Sequence, residues 1–261
     1  MPTPDFETIR YETSADKVAT ITLARPEVLN AFDHQMCVEV REAWKLVKDD
    51  PDVNAVVLRS EGDRAFCSGV DIRKKYPQPD DVWNNEDPGE LISPKWQQCW
   101  KPVVCAVQGM ATAGALYFIN ESDIVICSPE ATFFDSHVTY GRVAALEPVG
   151  LMRKVGLAHT LRMALSGNDE RVTATTALSI GLVTEIVERD QLWSRAHEIA
   201  AGIAAKPSVA TQGTVRAIWE SLDKPYRAAM QQGLTYTMLG NPIGMAEADA
   251  NPAPKVEPRL R

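Results

Sequence analysis

Short β-branched apolar runs alternate along this chain with stretches whose apolar residues recur every three or four positions. Val18–Leu23 (VATITL) and residues 55–58 (AVVL) read as buried strands, and Val103–Val107 and Ile124–Cys127 repeat the pattern. Between the first two lies a predicted helix. Asp33 is placed to cap it, and Met36, Val40, Ala43, Trp44 and Val47 share one face. Strands separated by helical or loop segments predict an α/β core with mostly parallel strands. After residues 181–183 (GLV) the rhythm turns helical. Leu192, Ala196, Ile199, Ala200 and Ile203 form a stripe that Pro207 ends, and Ser208 is expected to cap a second helix carrying Val215, Ile218, Trp219 and Leu222. Residues 76–94 (YPQPDDVWNNEDPGELISP) have no sustained period and predict a surface loop. Pro242, Pro252, Pro254 and Pro258 argue against a long closing helix over residues 241–261.

Composition narrows the function classes. A chain of 261 residues with 45% hydrophobic and 24% charged residues is long enough for one large globular unit, or for a main domain with an appendage. Its 27 basic and 35 acidic residues give a formal charge of -8, which speaks against non-specific binding to nucleic acid or to anionic membranes. A small anion at a local basic site is still compatible. Residues 1–16 (MPTPDFETIRYETSAD) have neither the basic start nor the apolar stretch of a signal peptide, and no run approaches a membrane span. The five cysteines, Cys37, Cys67, Cys99, Cys105 and Cys127, are odd in number and lack C-x-x-C spacing. Neither a disulfide framework nor a zinc site is expected, and a reducing cytoplasm fits best.

Candidate chemistry gathers in residues 103–123 (VVCAVQGMATAGALYFINESD). This stretch predicts a strand, a Gly-containing turn and a short helix opening near Gly114, a layout that aims backbone N–H groups at negative charge. Tyr117 stands one helical turn further on, where a carboxylate would have made the chemistry easy to name.

Four stretches resemble the enoyl-CoA hydratase/isomerase superfamily, the crotonases. Residues 21–32 (ITLARPEVLNAF) are similar to its strand and R-P-x-x-x-N-A, and residues 65–72 (AFCSGVDI) to its A-F-x-x-G-x-D-[IL] loop. Residues 101–115 (KPVVCAVQGMATAGA) resemble K-P-V-[IV]-A-A-V-x-G-x-x-x-G-G-G. Residues 131–134 (ATFF) and 165–187 (LSGNDERVTATTALSIGLVTEIV) resemble A-x-F and L-[ST]-G-x-x-x-x-A-x-x-A-x-x-x-G-L-V-x-x-V. All four occur in order and cover most of the chain. The resemblance implies a spiral of ββα units over residues 1–190, a C-terminal helical region over 191–261 involved in trimerisation, and a homotrimer or a hexamer of two trimers. It also implies an enzyme of fatty-acid type chemistry, a lyase or isomerase whose substrate is an acyl-CoA, with no cofactor beyond the coenzyme A of that substrate. By motif match, the Val70 and Gly114 amides would hold the thioester oxygen, and Ser68, Val70, Asp71, Ile72, Arg73 and Gly114 would line the coenzyme A site. Arg73, followed by Lys74, is then placed to face a phosphate, or else is a solvated charge at a helix start.

The acid–base positions depart from the family pattern. Hydratases carry glutamates where this chain has Tyr117 and His137. A tyrosine titrating at about 10 is a poor base near neutrality, whereas an imidazole near 6.5 suits the role. His137 is therefore the expected proton carrier, and ordinary crotonyl-CoA hydration is expected to be weak. Tyr117 would either pack or donate a hydrogen bond. Glu147, in residues 144–150 (AALEPVG), stands near the position where dienoyl-CoA isomerases of the family carry an aspartate. It supplies the missing carboxylate or, with Pro148, simply starts a helix. Asp135, in residues 131–137 (ATFFDSH), resembles the Asp of the family's β-diketone hydrolases, although their A-T-F-x-D-x-x-H spacing is one residue longer and their second His has no counterpart. Carbon–carbon or thioester hydrolysis is thus an alternative, as is a non-catalytic acyl-CoA-binding protein. Residues 65–69 (AFCSG) form no G-x-S-x-G elbow, and Cys67 reads as a small buried residue. His34, His137, His159 and His197 lack metal-site spacing, so no metal is expected.

Overall fold

The computed structural model describes residues 5–74, 83–84, 86–252 and 257–259. Two sheets build the core. The first has six strands in the order β1–β2–β3–β5–β7–β10: β1 (Ile9–Thr13), β2 (Val18–Leu23), β3 (Ala55–Ser60), β5 (Val103–Val107), β7 (Ile124–Cys127) and β10 (Glu185–Ile186). Only β1 runs antiparallel to its neighbour. The second sheet has four short strands in the order β4–β6–β8–β9: β4 (Ala65–Cys67), β6 (Met110–Thr112), β8 (Thr132–Phe134) and β9 (Val172–Thr173). Each turn of the chain lays one strand in the first sheet and the next in the second, so β3–β4, β5–β6 and β7–β8 are successive turns of a spiral. Such strands are buried on both faces, which is why they read as continuous apolar runs rather than alternating ones.

Helices close the turns. α1 (His34–Asp49) starts where Asp33 accepts from the Met36 amide at 3.0 Å, and its five anticipated core residues are fully buried. α3 (Ala115–Asn120) follows β6, and α4 (Leu146–Ser166) follows β8 and breaks at Gly156. α5 (Ala174–Ser179) leads to β10. α6 (Leu192–Ala204) lays Leu192, Ala196, Ala200 and Ala204 against Val57, Val104 and Ile126 of the first sheet. α7 (Ser208–Ser221) and α8 (Tyr226–Ala250) pack on each other, and the Trp219 indole anchors α7 by donating to Asp123 at 2.6 Å. No helix among the described residues is long and apolar enough to cross a membrane.

Three expectations are corrected. Within residues 76–94, Pro88–Ile92 forms a helix, α2, with Gly89, Leu91 and Ile92 buried; residues 76–82 and 85 lie outside the described residues. Its proline stands at the first turn, where no amide is needed. The closing helix does form: α8 runs through Pro242, which lies on a face exposed in the single chain. Ser208 is the first residue of α7 and makes no capping bond; Pro207 precedes the helix. The face carrying Ile218 and Leu222 is not buried within one chain.

Candidate active site

Val70 and Gly114 are brought together by two tight turns. Phe32 and Val70 form a parallel bridge in which Phe32 N donates to Gly69 O at 2.9 Å and Asp71 N to Phe32 O at 2.8 Å. The Val70 amide points away from that bridge, and Gly114 immediately precedes α3. Among the described residues neither the Val70 nor the Gly114 N–H donates to a backbone acceptor. Both line one cavity of about 840 Å³ together with Ser68, Asp71, Ile72, Arg73 and His137. That volume suits a small-molecule ligand.

Asp71 is only 3% exposed and holds the loop in place. Its carboxylate takes Arg25 at 2.9 Å and Arg73 at 3.1 Å. Burial alone would raise its pKa, but the hydrogen bonds from Arg73 and Arg25 outweigh burial and hold it below the usual carboxylate range. Arg25, the Arg of the R-P stretch, also reaches Asp33 at 3.4 Å, so this motif is structural scaffolding beneath the loop. The Cys67 thiol behind the loop is buried and pushed up to about 12, which leaves it inert as a nucleophile.

Three of the anticipated side chains form one group. Asp135 follows β8 and is 1% exposed; its Oδ1 accepts from the His137 amide at 2.9 Å and lies 2.7 Å from His137 Nδ1. This local turn lets an Asp two residues away orient the imidazole, which answers the shortened spacing. His137 Nε2 faces Glu147 Oε1 at 3.8 Å, and Glu147 sits in the first turn of α4. The hydrogen bond that the His137 ring donates to Asp135 is the main reason its pKa is raised, and Glu147 adds to it against the cost of burial. Burial pushes the Glu147 carboxyl up as well. Asp135 Oδ2 is buried and has no hydrogen-bond partner among the described residues. The three residues place donor atoms within 4.8 Å of one another, a cluster that histidine spacing along the chain does not reveal. The His137 Nδ1 contact with Asp135, at 2.7 Å, fixes the orientation of the ring.

Tyr117 stands apart from the cavity lining, and its hydroxyl donates to Asp87 Oδ1 at 2.9 Å. Asp87, just before α2, was not among the residues singled out from the sequence. Nothing in an Asp- and Pro-rich segment marks one carboxylate as the partner of a tyrosine 30 positions on.

The family model described as enoyl-CoA hydratase/isomerase matches residues 13–246. The chain is 31% identical over 227 residues to an (E)-benzylidenesuccinyl-CoA hydratase from Thauera aromatica, covering 86% of each chain. It is 28% identical to a peroxisomal Delta(3,5)-Delta(2,4)-dienoyl-CoA isomerase from Arabidopsis thaliana, covering 95% of this chain and 92% of that one. The crystal structure of an enoyl-CoA hydratase/isomerase from Mycobacterium paratuberculosis superposes with a TM-score of 0.86 at 35% identity, covering 98% of this chain and 100% of that one.

Proposed function

Because the chain belongs to the enoyl-CoA hydratase/isomerase family, we propose that it binds an acyl-CoA thioester and stabilises the enolate of that thioester at the Val70 and Gly114 amides. The observation that carries this reading is the pair of amides without backbone acceptors lining the same cavity as His137, whose ring is fixed by Asp135 at 2.7 Å. Amides held ready before charge develops need no reorganisation, and losing one such donor typically costs about 3 kcal/mol of transition-state stabilisation. His137 removes or returns the α-proton, Asp135 fixes its tautomer, and Glu147 is the carboxyl group within reach of Nε2. A proton shift along an unsaturated acyl chain is the reaction this set performs with the fewest groups. Ser68, Ile72 and Arg73, which line the same cavity, would receive the coenzyme A arm, with Arg73 near a phosphate. No cofactor is needed for these steps. We read the working form as a homotrimer or a hexamer in the cytoplasm.

The Asp135–His137 pair also favours a second reading, water attack on a carbon–carbon or thioester bond. The two separate by product: hydrolysis releases a free carboxylic acid, whereas enolate chemistry exchanges the α-proton and leaves the thioester whole. Butyryl-CoA incubated in D₂O and followed by mass spectrometry reads that exchange directly. His137→Ala should slow it by about 100-fold or more while sparing affinity for coenzyme A. Wild-type protein that binds coenzyme A yet exchanges nothing would instead be a non-catalytic acyl-CoA-binding protein.

A further inference from the structure

Beyond His137 the cavity has a basic wall that enolate formation does not use. Arg142 and Arg171 line the same cavity as the two amides, and among the described residues neither makes an ion pair. The carboxylates of the lining, Glu27 and Asp71, both act on Arg73, while Asp135 and Glu147 stand behind His137 and outside the lining. In a chain of formal charge -8, uncompensated positive charge inside a cavity marks a place for an anion.

Strand order locates this wall. In the second sheet, β4–β6–β8–β9, the loop of residues 68–73 follows β4, Gly114 follows β6, and His137 follows β8. β9 runs antiparallel to β8 with Val172 opposite Phe133, which sets Arg171 beside the same end of the sheet. With strands about 4.8 Å apart, Arg171 stands two spacings, about 10 Å, from the strand leading to Gly114, on the side away from the loop of residues 68–73. An acyl chain that leaves the thioester opposite to the coenzyme A arm runs toward it.

The wall is also held in shape. The Arg171 guanidinium lies over the Phe134 ring, 4.5 Å from its centroid, and Phe134 lines the cavity. The turn His137–Tyr140 ends at Gly141, and Arg142 N donates back to His137 O at 3.0 Å, so that the Arg142 charge opposes protonation of the imidazole. Asn168 N donates to Thr139 Oγ1 at 2.9 Å, and a Cβ at Gly167 would collide with that oxygen. The segments that carry the two arginines are therefore packed on each other.

We propose that Arg142 and Arg171 receive a carboxylate at the far end of the acyl group, so that the substrate is a dicarboxylic acyl-CoA. The proposal rests on the enolate reading above. A guanidinium offers a carboxylate two parallel N–H donors, and such charge-assisted bonds are about twice as strong as neutral ones. A hydrocarbon tail would leave both guanidiniums without that partner.

Adipyl-CoA and hexanoyl-CoA have acyl chains of equal carbon number and differ in the terminal group, carboxylate against methyl. Dissociation constants of the full chain for both, and for free coenzyme A, test the proposal alongside α-proton exchange of both in D₂O. Wild-type protein should bind adipyl-CoA at least about 10-fold more tightly than hexanoyl-CoA. Arg142→Gln and Arg171→Gln should each weaken adipyl-CoA by about 10- to 100-fold, with hexanoyl-CoA and free coenzyme A changed by less than about 3-fold. Equal loss for all three ligands would give the arginines to the phosphates of coenzyme A and overturn the proposal. Unchanged affinities in both variants, or a wild type without preference for adipyl-CoA, would overturn it too. Exchange without that preference would leave the enolate reading standing alone; the preference without exchange would keep the carboxylate site and remove the enolate reading.

Discussion

The hydrogen bond that His137 donates to Asp135 is the largest influence raising its pKa, and that bond can be read by titration. With its pKa raised in the folded state by Asp135 first and Glu147 next, the imidazolium is favoured by folding. The stability it adds is fully present below the unfolded value of about 6.5 and is lost as pH rises through the higher folded value. Activity as a base has the opposite sense: α-proton exchange should rise with pH through an inflection above 6.5. Asp135→Asn should move that inflection down, and NMR titration of the His137 ring should follow it; an inflection that stays put would mean that Asp135 does not tune the base. At this scale the sequence was informative wherever chemistry is local. Asp135 and His137 meet across two residues, and Gly114 sits at a turn that its own neighbours specify. Asp87 was out of reach because its meeting with Tyr117 depends on how α2 packs, a tertiary event with no periodic signature.

Among the elements, the loop between β4 and α2 shows how backbone conformation fixes a site. Gly69 has φ +85°, and a Cβ there would stand 3.0 Å from Gly114 N and 3.2 Å from the Ala113 Cβ. Gly69→Ala should therefore strain the turn by about 1–2 kcal/mol and push the two amides apart. The expected result is a loss of α-proton exchange of about 100-fold, the scale of losing one such donor, with a melting temperature lower by only a few degrees. Exchange at the wild-type rate would show that the amides do not hold the developing charge. The parallel strands and α1 were legible because burial on both faces and a 3.6-residue stripe leave plain patterns. α2 and α8 were not. Five residues are too few for a period, and Pro242 reads as a breaker unless one knows that its face of α8 is exposed.

For the whole molecule, the alternation of elements announced a parallel α/β core, but the division into two sheets by successive turns is a property of the spiral and leaves no mark in hydropathy. The C-terminal helices raise a different question. Tyr226, Met230, Leu234 and Met238 recur every four residues on α8 and are all more than half exposed, and within one chain Gly244 is the only buried residue of that helix. A stripe of this size on a lone chain calls for a partner surface. Self-association covers it most economically, since a closed ring presents the same patch once per copy. Light scattering should give three or six times the 28.7 kDa chain mass. Leu234→Glu with Met238→Glu should dissociate the assembly, because each buried apolar side chain is worth about 1.5–3 kcal/mol and each new charge would have to be desolvated. A wild-type mass of one chain, or a mass indifferent to the two charges, would contradict this. The assembly also bears on α2. α7 packs on α8 and fixes Asp123 through Trp219 at 2.6 Å; Asp123 in turn holds Lys95 at 3.0 Å, three residues past the end of α2. Dissociation should loosen α2 at the end of that chain of contacts, so amide hydrogen exchange over Pro88–Ile92 should speed up in the double charge variant.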